Sequence, residues 1–546
     1  MIGYAEIALA AAVSTLRVLA LIGASIVTGW LLGYAAIKSR TFENVYTSLI
    51  GVLESVPVFS FFPVVLVFFV SGIGGYLGVE LAADFLVFTA VVWNIWIGIY
   101  QAFKTVPQEM LEVAENLRLG FFKQLRMLYI PYSMPRIAAN LMPSFSDGFF
   151  YITVSEVFSV GSSQYSVFGI GSVIARLTAE GQWGQPAFMG RYVFALAVLA
   201  LAVGSVVYGF RELADYVAGK YAVDSPIPVR RVKLVPPWLA RGVGGPLARI
   251  ARIISASQRR PAQPPPPPVW YEEEKSHERL LRAVGAAAGI ALLGAVAYGA
   301  VKAVASTPTY LWGRLLAQTP YVLLALALDY LRVLAVALAS LALAVTLGYY
   351  LATHHKAERI FVPILQIYSA YPAPVYFPLI FAATYAALYG ALGYYANELY
   401  VILLGFISTF YYVFYGFWMG LKAMPHEVWE LVDNLGISFS KRLRYVLLPG
   451  TMPYLIAGLS STINSAWGGL AIGEYWPGIY DGRNLEVSTG LMKLIVASTD
   501  AGDIALAAWA SLIFGIVVVL FSIFFTRRLM DLAHKKYVVE EAVYAA

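Results

Sequence analysis

Lys104-Thr-Val-Pro-Gln-Glu-Met-Leu-Glu-Val-Ala-Glu-Asn-Leu-Arg-Leu-Gly-Phe-Phe-Lys-Gln-Leu-Arg-Met-Leu-Tyr-Ile-Pro131 is a charged stretch in an apolar chain, and it occurs twice. The second copy starts at Lys422, runs through Glu430-Leu-Val-Asp-Asn-Leu-Gly436 and reaches Leu448-Pro449 and Met452-Pro453. At a constant offset of 318, without a gap, the copies match at Lys104/Lys422, Pro107/Pro425, Glu109/Glu427, Glu112/Glu430, Asn116/Asn434, Leu117/Leu435, Lys123/Lys441, Arg126/Arg444, Pro131/Pro449 and Pro135/Pro453. In each copy a Pro starts a helix and Glu residues fill its first two turns, where the helix dipole favours negative charge. The amphipathic pattern then breaks over 117–120 and 435–438, and a basic segment follows, Lys123 with Arg126 and Lys441-Arg442 with Arg444. The expected product is a helical hairpin, acidic on one arm and basic on the other. Such a hairpin has little use for a solute and suits the groove of a partner.

The rest of the chain says where that hairpin sits. Hydrophobic residues make up 60% and charged residues 13%, against roughly half and a quarter in soluble proteins. The apolar runs are long enough for spans of about 20 residues and lack the alternation of an outer-membrane barrel, so the fold class is an all-α membrane protein. There is no cysteine, and the five histidines fall in predicted loops, which excludes disulfides and argues against a Cys/His metal site. The net charge of +6 is read as cytoplasmic-loop charge rather than as a nucleic-acid surface. The first residues lack the basic region and cleavage site of a signal peptide, so none is expected.

Spans are expected at 14–37, 46–70, 85–103, 137–158 and 192–210, and again at 331–351, 364–388, 401–421, 455–476 and 504–525. Lys38 and Arg40, both charged cassettes, the basic run 220–260, the segment from His354 to Arg359, and Arg527-Arg528 mark the cytoplasmic side. Five spans that start outside end inside, so a second half of the same orientation needs one further crossing. The Ala/Gly-rich run 283–301 supplies it, giving about 11 spans in a 5 + 1 + 5 plan. The expected organisation is a first half over 1–219, a basic, Pro-rich cytoplasmic linker over 220–282, an extra helix within 283–305 and a second half over 306–546.

The duplication extends beyond the cassette. Leu16-Arg-Val-Leu-Ala20 matches Leu331-Arg-Val-Leu-Ala335 at an offset of 315, and Glu156 pairs with Glu474 at 318. Both copies point the same way, which argues against an inverted-repeat carrier and places a pseudo-two-fold along the membrane normal with the pathway between the halves.

The second cassette resembles the EAA loop of type I ABC importer permeases: Glu430, Gly436 six positions later, and the Leu448-Pro449 pair beyond it. The remaining pattern resembles the nitrate/sulfonate/taurine-type permeases, through Leu-Arg-Val at the first core span, the Pro-rich second span, and the stretch from Trp467 to Glu474. The resemblance implies a duplicated permease in one chain, importing a small anion at the cell membrane. It also implies two copies of a separate ATPase, which bind the ATP and Mg, and an extracellular solute-binding protein. No Gly-x-x-x-x-Gly-Lys-Ser/Thr phosphate loop occurs, so the chain is expected not to be an enzyme and to hold no cofactor itself. The coupling residues carried over are Glu109, Glu112, Glu115, Asn116, Arg118 and Gly120 in the first loop and Glu427, Glu430, Asp433, Asn434 and Gly436 in the second. Both copies lack the Ala pair after Glu, and Arg118 stands where the second has Gly436, so the first loop is expected to bend elsewhere, at Gly120, or to bind its ATPase differently.

Polar residues inside spans are functional candidates by default. Ser144, Ser146, Asp147, Asn464 and Ser465 are expected to line the pathway, in preference to serving as interhelical hydrogen bonds, and Trp467 is placed with them. Glu156 and Glu474 have two readings, lining or gating the pathway or capping a helix at the interface. Arg17 and Arg332 are expected to snorkel to the outer surface. These carboxylates do not themselves support an anion, and a cationic or zwitterionic solute is the competing choice if they face the cavity; an ATP-independent carrier is the competing class.

Overall fold

In the bilayer every backbone N–H and C=O must be satisfied within the segment, so apolar runs of this length become helices. The computed structural model describes residues 2–54, 58, 65–160, 163–180, 183, 185–221, 308–526 and 528–529. The expected extra helix and nearly all of the linker lie outside these residues. In the first half the helices are α1 (Tyr4–Lys38), α2 (Arg40–Leu53), α3 (Gly75–Lys104), α4 (Gln108–Asn116), α5 (Phe121–Gln124) and α6 (Ile130–Ser155), then α7 (Ile170–Ala179) and α8 (Pro186–Tyr221). The second half repeats the order with α9 (Thr309–Thr353), α10 (His355–Ala370), α11 (Ala373–Leu392), α12 (Ala396–Ala423), α13 (His426–Asn434), α14 (Phe439–Arg442), α15 (Leu448–Gly473), α16 (Leu491–Asp500) and α17 (Ile504–Phe521). Seven helical stretches among the described residues are long and apolar enough to cross a membrane, and α11 and α12 together form one of them.

The second span of the second half, expected to be continuous over 364–388, is broken. Pro372 disfavours helical backbone in the residue before it; Tyr371 is extended, at φ −86° and ψ 118°, and α10 ends there. A further departure concerns the outer loops. Each fourth core helix runs into a hairpin and a short helix: β1 (Val157–Val160) pairs antiparallel with β2 (Ser163–Ser166) before α7, and β3 (Tyr475–Tyr480) with β4 (Arg483–Glu486) before α16. The β3–β4 turn is Asp481-Gly482, with φ of 47° and 71°. Both positive values are what a two-residue hairpin of matching twist requires.

The halves share apolar packing. Ala370 and Val375 of the second half lie in the same buried cluster as Phe145, Phe149, Tyr192 and Leu199 of the first. Two hydrogen bonds cross the same boundary: the Tyr192 hydroxyl donates to the Val375 carbonyl at 2.7 Å, and the Tyr371 hydroxyl to the Leu196 carbonyl at 2.9 Å.

Candidate coupling loops, buried carboxylates and inter-half seam

The two charged hairpins, expected on the cytoplasmic side, have one architecture. Pro107, at φ −58° and ψ 143°, precedes α4, whose Ala114 is buried while Glu109, Glu112, Glu115 and Asn116 are exposed. On α13 Val432 takes the buried place, and Glu427, Glu430 and Asn434 are exposed; nothing is described of the Asp433 side chain. Beside the acids each loop exposes apolar side chains, Val113, Leu117 and Phe122 in the first and Leu431, Leu435 and Phe439 in the second. Buried anchors on one face with exposed acids and apolar residues on the other fit insertion into a groove.

The first loop does not bend at Gly120, which is extended at φ −68° and ψ 167°. It bends at Arg118, the position of Gly436 in the repeat, with φ of 47° against 58°. The N–H of Leu119 reaches the Ala114 carbonyl at 3.0 Å, and that of Arg118 the Glu115 carbonyl at 2.9 Å. These two bonds make the Schellman ending that commonly takes glycine at its left-handed residue. Arg118 thus takes the same left-handed backbone as Gly436 of the repeat.

At the start of each loop a lysine is tied to an earlier helix of the same half, by a contact that the sequence did not reveal. Lys104, the first residue of its cassette, lies 2.7 Å from Glu43 of α2, and the Tyr100 hydroxyl donates to the same carboxylate at 2.5 Å. In the second half Lys422 lies 2.7 Å from Glu358 of α10, and Trp418 Nε1 donates to it at 3.1 Å. Glu43 precedes the expected second span on the cytoplasmic side; the Lys104 ammonium, with the Tyr100 hydroxyl, holds its carboxyl below the usual carboxylate range. The matched Lys of the repeat therefore braces the start of the second core helix in both halves.

At the outer ends, Glu156 and Glu474 are fully buried within their own halves. Glu156 accepts from the N–H of Gly171 at 2.6 Å and from the Ser14 hydroxyl at 2.5 Å. Glu474 accepts from the N–H of Lys493 at 3.0 Å. These N–H groups belong to the first turns of α7 and α16, so each carboxylate occupies the positive end of a short helix. A Cβ on Gly169 or Gly490 would collide with the Glu156 or Glu474 carboxylate, which explains the glycine before each short helix. Of the two readings open in the sequence, this geometry matches capping.

Arg17 and Arg332 do not snorkel. Arg332 is buried, and it pairs with Asp329 at 2.7 Å, Glu398 at 2.8 Å and Glu474 at 3.3 Å. Arg17 pairs with Glu80 at 2.7 Å, Asp84 at 3.2 Å and Glu156 at 3.5 Å. A guanidinium surrounded by three carboxylates has partners enough to stay off the surface. Glu80 and Glu398 correspond in the repeat, but the third acid differs: Asp329 stands where the first half has Ser14, and Ile402 where it has Asp84. The third acid has changed helix, and its count around the arginine has not changed.

The remaining expected pathway residues separate. Trp467 is buried in the second half, against Tyr330 and Phe514, and takes no place between the halves. Ser144 is buried with no hydrogen-bond partner among the described residues, and the Ser146 hydroxyl donates to the Met142 carbonyl at 3.0 Å. Asp147, Asn464 and Ser465 are partly buried. Asp147 reaches across to the second half, where it accepts a hydrogen bond from the Tyr412 hydroxyl; Ser465 engages the same hydroxyl. Tyr412 carried no signal in the sequence beyond being one tyrosine among many in a span.

A model of the family described as binding-protein-dependent transport system inner membrane component matches residues 25–215 and 344–538. No curated protein and no solved structure matches the chain. Each matched segment contains one charged hairpin loop, one braced lysine and one buried capping glutamate.

Proposed function

The chain belongs to the family of binding-protein-dependent transport system inner membrane components, and from that premise we propose that it supplies both permease halves of a single ABC importer. The two hairpins dock in grooves of two ATPase subunits, an extracellular binding protein delivers the solute to the outer face, and the solute passes between the halves in the cell membrane. The observation that carries this is the common backbone of the two loops, down to the left-handed turn that one copy makes at Gly436 and the other at Arg118. Each loop also exposes acidic and apolar side chains on one face.

Closure of the ATPases would pull both hairpins, and the Lys104–Glu43 and Lys422–Glu358 braces would pass that motion to the second core helices. The resemblance to nitrate/sulfonate/taurine-type permeases supports a small anion of that class as the solute, with a cationic or zwitterionic solute as the competing choice.

Purification of the tagged chain from its native membrane tests the coupling. An ATPase subunit is expected to co-purify, and charge reversal at Glu112 or Glu430 is expected to release it and stop uptake. A chain that purifies without an ATPase and transports normally after both reversals is an ATP-independent carrier.

A further inference from the structure

The repeat places Asn94 with Tyr412, Asp147 with Ser465, and Phe150 with Gly468 at one offset, 318. In the structure two of these equivalent pairs meet: Phe150 lies against Gly468, and Asp147 and Ser465 both engage the Tyr412 hydroxyl. Equivalent residues of two parallel repeats can face one another only at the pseudo-two-fold axis, which is where the pathway between the halves runs. Asp147 and Tyr412 are therefore on that axis, and their bond closes it.

The closure is one-sided. Asn94 Nδ2 lies 3.5 Å from the other Asp147 oxygen, on the same half. The position equivalent to Asp147 is the neutral Ser465, so the seam carries one carboxylate rather than a symmetric pair. Among the described residues no Lys or Arg forms an ion pair with Asp147, whereas the acids of the two outer clusters, Glu80, Asp84, Glu156, Asp329, Glu398 and Glu474, each have an arginine. A carboxylate within the membrane is a functional candidate by default, and one held only by neutral hydrogen-bonding groups leaves its charge open to a cation. Tyr151 and Tyr411 lie beside Asp147 together with Tyr412, and tyrosine rings are a residue type that attracts ammonium groups.

We propose that Asp147 and Tyr412 form the gate of the solute pathway and that Asp147, freed when the bond breaks, receives an ammonium group of the solute. This rests on the importer reading and narrows its solute class: a bare anion does not fit, and a zwitterion that carries an ammonium beside its acid group does.

The chain has no cysteine, so Ser465→Cys introduces a sole, nearly isosteric thiol at the seam. The protein, as purified with its ATPase into nanodiscs, is treated with a trimethylammonium-bearing or a sulfonate-bearing methanethiosulfonate. Each rate is divided by that reagent's rate with a free thiol in solution. The cationic reagent is expected to be favoured by about tenfold, a difference of about 1.4 kcal/mol. Asp147→Asn should bring the ratio close to one, and Tyr412→Phe should speed both reactions by opening the gate. Preference for the sulfonate reagent, or a ratio indifferent to Asp147→Asn, overturns the proposal. So does a seam thiol that stays unmodified in every nucleotide state while Val113→Cys, exposed on the first loop, reacts. Presence of the ATPase in the preparation is scored separately on the same sample, so loss of the importer reading and loss of this proposal are distinct results.

Discussion

Arg118 and Gly436 make the same left-handed turn in the two charged loops, at φ of 47° and 58°. A residue with a Cβ is strained by roughly 1–2 kcal/mol in that conformation. Gly436→Ala is therefore expected to destabilise the second loop by about 1 kcal/mol. Arg118→Gly gains the relief but adds freedom to the unfolded chain, so its benefit is below about 1 kcal/mol. Hydrogen exchange of the loop amides in detergent checks both. Equal protection changes of the same sign in the two variants would contradict the assignment of strain to Arg118.

The exchange of acids around the two arginines gives a double-mutant test. Ser14→Asp alone adds a fourth carboxylate around Arg17, and Asp84→Ile alone removes one of three. Each single change is expected to lower thermal stability. The double variant recreates the second half's arrangement, Asp329 with Ile402, and should recover most of the loss. The expected coupling is about 1–3 kcal/mol, the range for residues in one ion network. Strict additivity of the two losses would show that the positions act independently.

The braces beside the loops lead to a test of transmission. Glu43→Gln and Glu358→Gln remove the carboxylates that Lys104 and Lys422 grip, leaving the docking faces unchanged. ATP hydrolysis by the assembled transporter should persist, with uptake per ATP reduced several-fold. For Glu43, whose folded pKa is lowered, the pairing contributes fully above the ordinary carboxylate pKa of 4.5 and is lost as pH falls through the folded value. Acidification below that range should thus narrow the stability difference between the wild type and Glu43→Gln. A difference that widens on acidification would contradict the pairing.

How much of this was legible beforehand depends on the kind of signal. The core helices and both loops follow from long apolar runs, prolines and a gapless repeat, because membrane spans are specified locally. Ile170, Val173, Ile174 and Leu177 do carry helical spacing, but they fall between the spans expected at 137–158 and 192–210, where no element was expected. The arginine networks were hidden for a different reason: Arg17 and Glu156 are 139 positions apart, and only the fold tells a buried ion cluster from an interfacial arginine. The same holds for Tyr412, which gains meaning only beside Asp147 of the other half.

Arg332 offers the most severe single test of the outer cluster. Its guanidinium holds Asp329 and Glu398, lies 3.3 Å from Glu474, and donates to the Thr489 carbonyl at 2.8 Å. Removing one partner from a buried ion network leaves uncompensated charge and costs about 3–5 kcal/mol. Arg332→Ala is expected to lose that much. Arg17→Ala should lose less, because the Arg17 side chain is 14% exposed against 7% for Arg332, and water replaces part of what is removed. Lysine keeps the charge but not the fork that bonds Glu398 through two nitrogens, so Arg332→Lys should recover only part of the loss. Thermal unfolding of the purified variants ranks them, and a stability of Arg332→Ala equal to that of Arg17→Ala would show that burial does not set the strength of these clusters.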